Sequence, residues 1–170
     1  MDVDPLTGDP GQGIRLGTVL RFVDIAVDAL GGAREEIDAL NVYPVPDGDT
    51  GTNLYLTMAA ARDAVRERTG GAHDADRGTT LEAFTRGALL GARGNSGVIL
   101  SEMLRAIIRR IAAATPQERN AQVMVEALRA ATEASYAAVG TPVEGTMLSV
   151  CRAAADTASS RCSATPPRPR

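Results

Sequence analysis

The sequence predicts an all-α fold: an antiparallel up-and-down helical bundle or barrel of about six to eight helices. Three observations carry this. Apolar residues recur at helical spacing between Gly- and Pro-containing connections. Aromatics make up only 3% of a chain that is 44% hydrophobic, so packing must rely on Leu, Ile, Val, Met and Ala with helices in close approach. Two Thr-x-x-Glu/Thr-Pro-x-Glu patterns, Thr79–Glu82 and Thr115–Glu118, read as capping boxes at helix starts.

In chain order, residues 1–13 are rich in Gly, Pro and Asp, lack periodicity and read as a mobile lead-in. Leu16, Leu20, Val23, Val27 and Leu30 form one helical stripe, with Gly31-Gly32 expected to end it and a shorter helix carrying Ile37 and Leu40. Leu54, Met58, Ala61 and Val65 make the next stripe, stopped by Gly70-Gly71. His73 lies in a polar linker and reads as solvent-exposed rather than as a general base. Thr79 opens a third helix with Leu81, Phe84 and Ala88, and a fourth carries Val98, Ile99, Met103 and Ile107, its late Arg105, Arg109 and Arg110 offsetting the dipole. Thr115 opens a fifth through Met124, Leu128, Ala131 and Tyr136, and a sixth runs from about Met147 to Ser159. The predicted domain therefore spans 14–159, and residues 160–170 read as a disordered Pro/Arg tail.

The net charge of −3, with acids and Arg interspersed, gives no basic stripe for nucleic acid. No apolar run reaches membrane-spanning length and no leader pattern opens the chain, so a cytoplasmic protein is expected. Cys151 and Cys162 are too few for a zinc motif and read as reduced thiols.

The stretch Asn41–Asn53, Asn-Val-Tyr-Pro-Val-Pro-Asp-Gly-Asp-Thr-Gly-Thr-Asn, concentrates the chemistry. Pro44 and Pro46 stiffen the approach, and Gly48 lets Asp47 and Asp49 turn two carboxylates towards one point, an arrangement a divalent cation relieves. The competing reading is an ordinary solvated Asp-Gly turn. Thr50, Thr52 and Asn53 are N-cap types, so the loop is expected to end on a helix N-terminus with free N–H groups for phosphate. An EF-hand fails because Thr52 and Met58 stand where Gly and Glu are needed, and a Walker loop fails because the chain has no lysine. Gly91–Gly97 lacks the dinucleotide-binding spacing. In an up-and-down bundle the second, fourth and sixth helices start at the same end. The loops holding Asp47–Gly51, Gly94–Gly97 and Glu144–Thr146 would then converge on one anionic-ligand mouth. The alternative is that glycine merely marks helix ends, and both readings stand on the residues alone.

Three ordered blocks, Asn41–Asn53, Gly87–Ser101 and Pro142–Val150, resemble the nucleotide-binding domain of bacterial fatty-acid kinase, which is similar to the ATP-binding L subunit of dihydroxyacetone kinase. The resemblance implies an antiparallel all-α barrel that binds ATP and Mg²⁺ at one end. It implies Asp47 and Asp49 as metal ligands with Asn41 as a third, since the third aspartate of the dihydroxyacetone branch is replaced here by Val42. Thr50, Gly51, Thr52 and Asn53, together with Asn95, Ser96 and Gly97, would contact phosphates, with Thr146 and Met147 beside the base. The implied reaction is phosphorylation of a fatty acid carboxylate presented by a separate lipid-binding protein. Dihydroxyacetone phosphorylation or a non-catalytic helical interaction module are the alternatives. Relatives continue into at least one further helix, so an open barrel with uncovered faces on its first and last helices is expected. Weak nucleotide affinity and poor solubility or oligomerisation, a homodimer among the outcomes, would follow.

Overall fold

The computed structural model describes residues 14–70 and 76–164. These form six helices and, among the described residues, no strand: α1 (Leu16–Leu40), α2 (Thr50–Thr69), α3 (Arg77–Leu90), α4 (Gly94–Ala112), α5 (Asn120–Ala137) and α6 (Met147–Ala164). The expected all-α bundle is what the chain adopts. His73, residues 1–13 and the final six residues lie outside the described set.

Consecutive helices run antiparallel, as their cross-contacts record. Asp38 of α1 meets Thr52 of α2 at one end while Asp24 meets Arg66 at the other. Arg110 of α4 pairs with Glu126 of α5 at 2.8 Å. Thr132 and Cys151 lie 3.4 Å apart across α5 and α6. α2 is the hub, packing on α1, α3 and α4, while α1 packs chiefly on α2 and α6 chiefly on α5. The core joins Val23 and Val27 of α1, Met58, Ala61 and Val65 of α2, Leu81 and Phe84 of α3, Leu104 and Ile108 of α4, and Val123 of α5. The close approach expected of an Ala-rich, aromatic-poor chain occurs between α2 and α3, where a Cβ on Gly87 or Gly91 would overlap Ala64 and Ala60.

Several local expectations are corrected. Gly31-Gly32 does not end α1, which continues to Leu40. The Tyr55 ring of α2 lies against Gly31, where an added Cβ would stand 3.3 Å from it, and that packing offsets the roughly 0.5–1 kcal/mol that each glycine costs a helix. α3 is capped by Asp76 rather than Thr79: the Asp76 carboxylate accepts from the Thr79 N–H and hydroxyl, both at 2.8 Å. Those bonds, the backbone one first, hold its pKa below the usual carboxylate value. Glu118 does accept from the Thr115 N–H at 2.6 Å, yet α5 begins only at Asn120. Glu118 also pairs with Arg110, so the box closes an isolated turn and Arg110 ties α4 to that turn and to α5. α6 runs to Ala164, beyond the expected end at Ser159.

The edge helices α1 and α6 expose apolar side chains. Phe22 is 63% exposed, Ile25 57% and Val150 70%. Among the described residues no helix is long and apolar enough to cross a membrane.

Candidate functional site

Two of the three glycine-bearing loops meet side by side, because α2 and α4 start at the same end of the bundle. Thr57, fully buried about two turns into α2, donates its hydroxyl to the Asn53 carbonyl at 2.7 Å and accepts from the Arg93 N–H at 3.2 Å. That fixes the residue before α4. Gly97 is buried so tightly on Thr57 that a Cβ would overlap the hydroxyl. Gly94 has φ +56°, and a Cβ there would overlap the Asn53 amide nitrogen, so both conformation and space demand glycine. The third loop reaches the first through Tyr43, whose ring edge would lie 4.0 Å from a Cβ on Gly145.

The two helix N-termini differ in their hydrogen bonding. At α2, the Asn41 side-chain oxygen accepts from the Thr50 N–H at 3.0 Å. Asp38 accepts from the Thr52 N–H at 3.0 Å and the Thr52 hydroxyl at 2.6 Å. The Thr52 hydroxyl, then the Thr52 and Gly51 N–H groups, hold the Asp38 carboxyl below its usual pKa. The free N–H groups expected at this helix start are therefore taken, and a carboxylate already sits on the positive dipole end. The physical reason is reach: the last turn of α1 delivers Asp38 and Asn41 directly to the first turn of α2. Asn41, expected among metal ligands, uses its oxygen on Thr50 and donates its amide to the Val45 carbonyl at 3.0 Å, clamping the loop.

At α4, Arg93 is the N-cap and makes no side-chain cap, while the Gly97 N–H bonds the Arg93 carbonyl at 2.9 Å. The N–H groups of Gly94, Asn95 and Ser96 have no acceptor among the described residues, nor do the Asn95 and Ser96 side chains have partners. Beside them Asn53, only 7% exposed, keeps its Nδ2 buried with no hydrogen-bond partner. A buried amide left unpaired costs roughly 1–3 kcal/mol. Four donors near the start of α4 thus have no acceptor among the described residues.

Asp47 and Asp49 stand exposed on either side of Gly48, whose φ is +63°, and neither carboxylate is engaged in a hydrogen bond or ion pair among the described residues. No cluster of three or more acidic, His or Cys side chains forms among the described residues. Gly51 is buried against the Arg34 carbonyl and Ile37, so it serves α1–α2 packing. Thr146 is committed within its own loop, donating to the Val143 carbonyl at 2.9 Å and accepting from the Leu148 N–H at 3.3 Å. Met147 is half-buried at the start of α6. Glu144 builds this loop: it accepts from Tyr136 at 2.9 Å, Ser149 at 2.5 Å and Arg152 at 2.6 Å. Ser149, then Tyr136 and Arg152, hold its carboxyl below the usual range.

Sequence reasoning missed Asp38, Thr57 and the organising role of Glu144. One signal for Asp38 was available: an acid in the last turn of a helix opposes that helix's dipole, so it needs a partner elsewhere.

The DAK2 domain family matches residues 44–167. An uncharacterised protein of Staphylococcus saprophyticus is 46% identical over 122 residues, covering 72% of this chain and 21% of that protein. Uncharacterised proteins of Staphylococcus aureus strains USA300 and NCTC 8325 are each 42% identical over 140 residues, covering 81% of this chain and 24% of theirs. The chain therefore spans about a quarter or less of the length of these relatives.

Proposed function

This chain belongs to the DAK2 domain family, and from that membership and the geometry of the mouth we propose that it binds ATP with Mg²⁺ and supports transfer of the γ-phosphoryl group. The observation that carries the reading is the unpartnered Asn53 Nδ2 beside the free N–H groups of Gly94, Asn95 and Ser96. Phosphate oxygens would satisfy the three N–H groups and, with a small shift of Gly94 that uncovers it, the Asn53 amide, offsetting an unmade bond that the folded chain otherwise carries.

The donor set of the first loop fits a hard cation. Asp47 and Asp49 offer carboxylate oxygens free of other partners, and Mg²⁺ is commonly held by one or two carboxylates, substrate phosphates and waters. When bound, the cation would neutralise charge shared by the β- and γ-phosphates. Asn41 would act by clamping the loop around Asp47 and Asp49, and Thr50 and Thr52 by holding α2 to α1, so the phosphates fall to Asn53, Asn95, Ser96 and the Gly97 turn. The Gly145–Thr146–Met147 segment, brought to Tyr43, would border the base.

For the acceptor, the resemblance to fatty-acid kinase supports a fatty acid carboxylate delivered by a separate lipid-binding protein in the cytoplasm. Such an acceptor is already a nucleophile, so positioning and charge neutralisation supply the catalysis without a general base. Calorimetric titration of ATP with and without Mg²⁺ into the chain and into an Asp47→Ala/Asp49→Ala variant tests the reading. Mg²⁺-dependent binding that disappears in the folded double variant supports it; a folded wild-type chain that takes up no nucleotide rejects it.

A further inference from the structure

The three mouth loops, 41–53, 91–97 and 141–146, carry the acids Asp47, Asp49 and Glu144 but a single cation, Arg93. Phosphoryl transfer gathers negative charge on the equatorial oxygens of the moving group. This chain has no lysine to meet that charge. Nearby arginines are committed: Arg152 is bound to Glu144, and Arg34 lies over the Tyr55 ring and near Glu35. Arg93 differs. Its main chain is anchored by the buried Thr57 hydroxyl at 3.2 Å, yet its exposed guanidinium bonds only the neighbouring Ala92 carbonyl, also at 3.2 Å, and has no acidic partner among the described residues.

From this placement we infer that Arg93 is a catalytic residue, its guanidinium turning onto the γ-phosphoryl group during transfer. The inference rests on the nucleotide reading above. It adds a second source of positive charge beside the free N–H groups of α4, opposite in kind to the carboxylate-bearing first loop. In the step itself, the bond from phosphorus to the β–γ bridging oxygen breaks and its electron pair stays on the departing diphosphate. A bond from the acceptor oxygen to phosphorus forms, with no proton to dispose of when the acceptor is a carboxylate. Arg93 takes no part in bonding; its planar fork holds two oxygens of the transferring group where their charge grows. Because the Thr57 bond uses the main-chain N–H of residue 93, replacing the side chain leaves the fold and the Asn53 corner in place.

The test compares ground-state with transition-state binding in the full chain. Calorimetry measures Mg²⁺·ATP and the planar mimic Mg²⁺·ADP·aluminium fluoride against the wild type, Arg93→Ala and Arg93→Lys. The expected result is that Arg93→Ala binds Mg²⁺·ATP much as the wild type does but binds the mimic about 10²-fold more weakly, with Arg93→Lys recovering part of the loss. Equal binding of the mimic by wild type and Arg93→Ala overturns the role while leaving the nucleotide site intact. Parallel loss of both ligands also overturns it, since Arg93 would then serve ground-state binding alone. A wild-type chain that binds neither ligand removes the nucleotide reading and this inference together.

Discussion

The starts of α2 and α4 lie against each other, and both follow glycine-bearing loops rich in N-cap residues, Thr50-Gly51-Thr52-Asn53 in one and Gly94-Asn95-Ser96-Gly97 in the other. Their chemistry is opposed. α1 lends Asp38 and Asn41 to α2, so the Thr50 and Thr52 N–H groups are bonded and the dipole end is offset by a carboxylate. α4 receives no such cap, its first three N–H groups have no acceptor among the described residues, and the unpaired Asn53 amide packs on Gly94. One helix start is capped by side chains of the protein and the other is not. Placing phosphate at α2 would set it against Asp38; placing it at α4 satisfies four donors.

The largest expected effect breaks the open corner. Asn53→Leu removes a buried polar group that lacks a partner, so the ligand-free fold keeps or gains stability. Nucleotide affinity should fall by about 10- to 100-fold, the worth of one hydrogen bond to a charged group; thermal melts and titration on the same sample check both. Gly94→Ala should come next. A side chain at φ +56° that overlaps Asn53 should cost about 1–3 kcal/mol in denaturant unfolding. Asp38→Ala sharpens the comparison from the other side: losing the α2 cap should lower the melting temperature by about 2–4 °C while nucleotide affinity holds.

The smallest effect is a pH dependence. Asp38 has a folded pKa below its unfolded value near ~3.9. Its contribution is therefore fully present above the unfolded pKa and is lost as pH falls through the lower folded value. Asp76, Glu118, Glu126 and Glu144 are depressed in the same direction, so the wild type loses stability over this acid range through several groups. The difference between wild type and Asp38→Asn, followed by unfolding between neutral and acid pH, isolates the share from α2 and should shrink towards the acid end.

Much of the fold was legible because glycine and caps punctuate strong apolar helices: Val23, Val27, Met58, Ala61, Val65, Leu81, Phe84 and Ala88 are buried where the stripes put them. Phase was harder in α4 and α5. Val98 is 48% and Met124 38% exposed, while Leu104, Ile108, Val123 and Ala127 carry the burial. Those helices bear apolar residues on more than one face, and each packs on two or more neighbours, so periodicity alone does not choose among the faces. The approach of the three loops to one another was legible from the up-and-down order of the helices. Which helix start lacks a cap was not, because α2 is capped by Asp38, fourteen residues before Thr52, and no local capping pattern announces so distant a partner.

The proposed anion site belongs to α4 and not to α2. Amide resonances followed by ¹⁵N-correlated NMR during addition of Mg²⁺·ATP test it most directly. The backbone signals of Gly94, Asn95 and Ser96 and the side-chain NH₂ of Asn53 should shift strongly, while those of Thr50 and Thr52 should move little. Large shifts at Thr50 and Thr52 with a silent Gly94–Ser96 segment would contradict it.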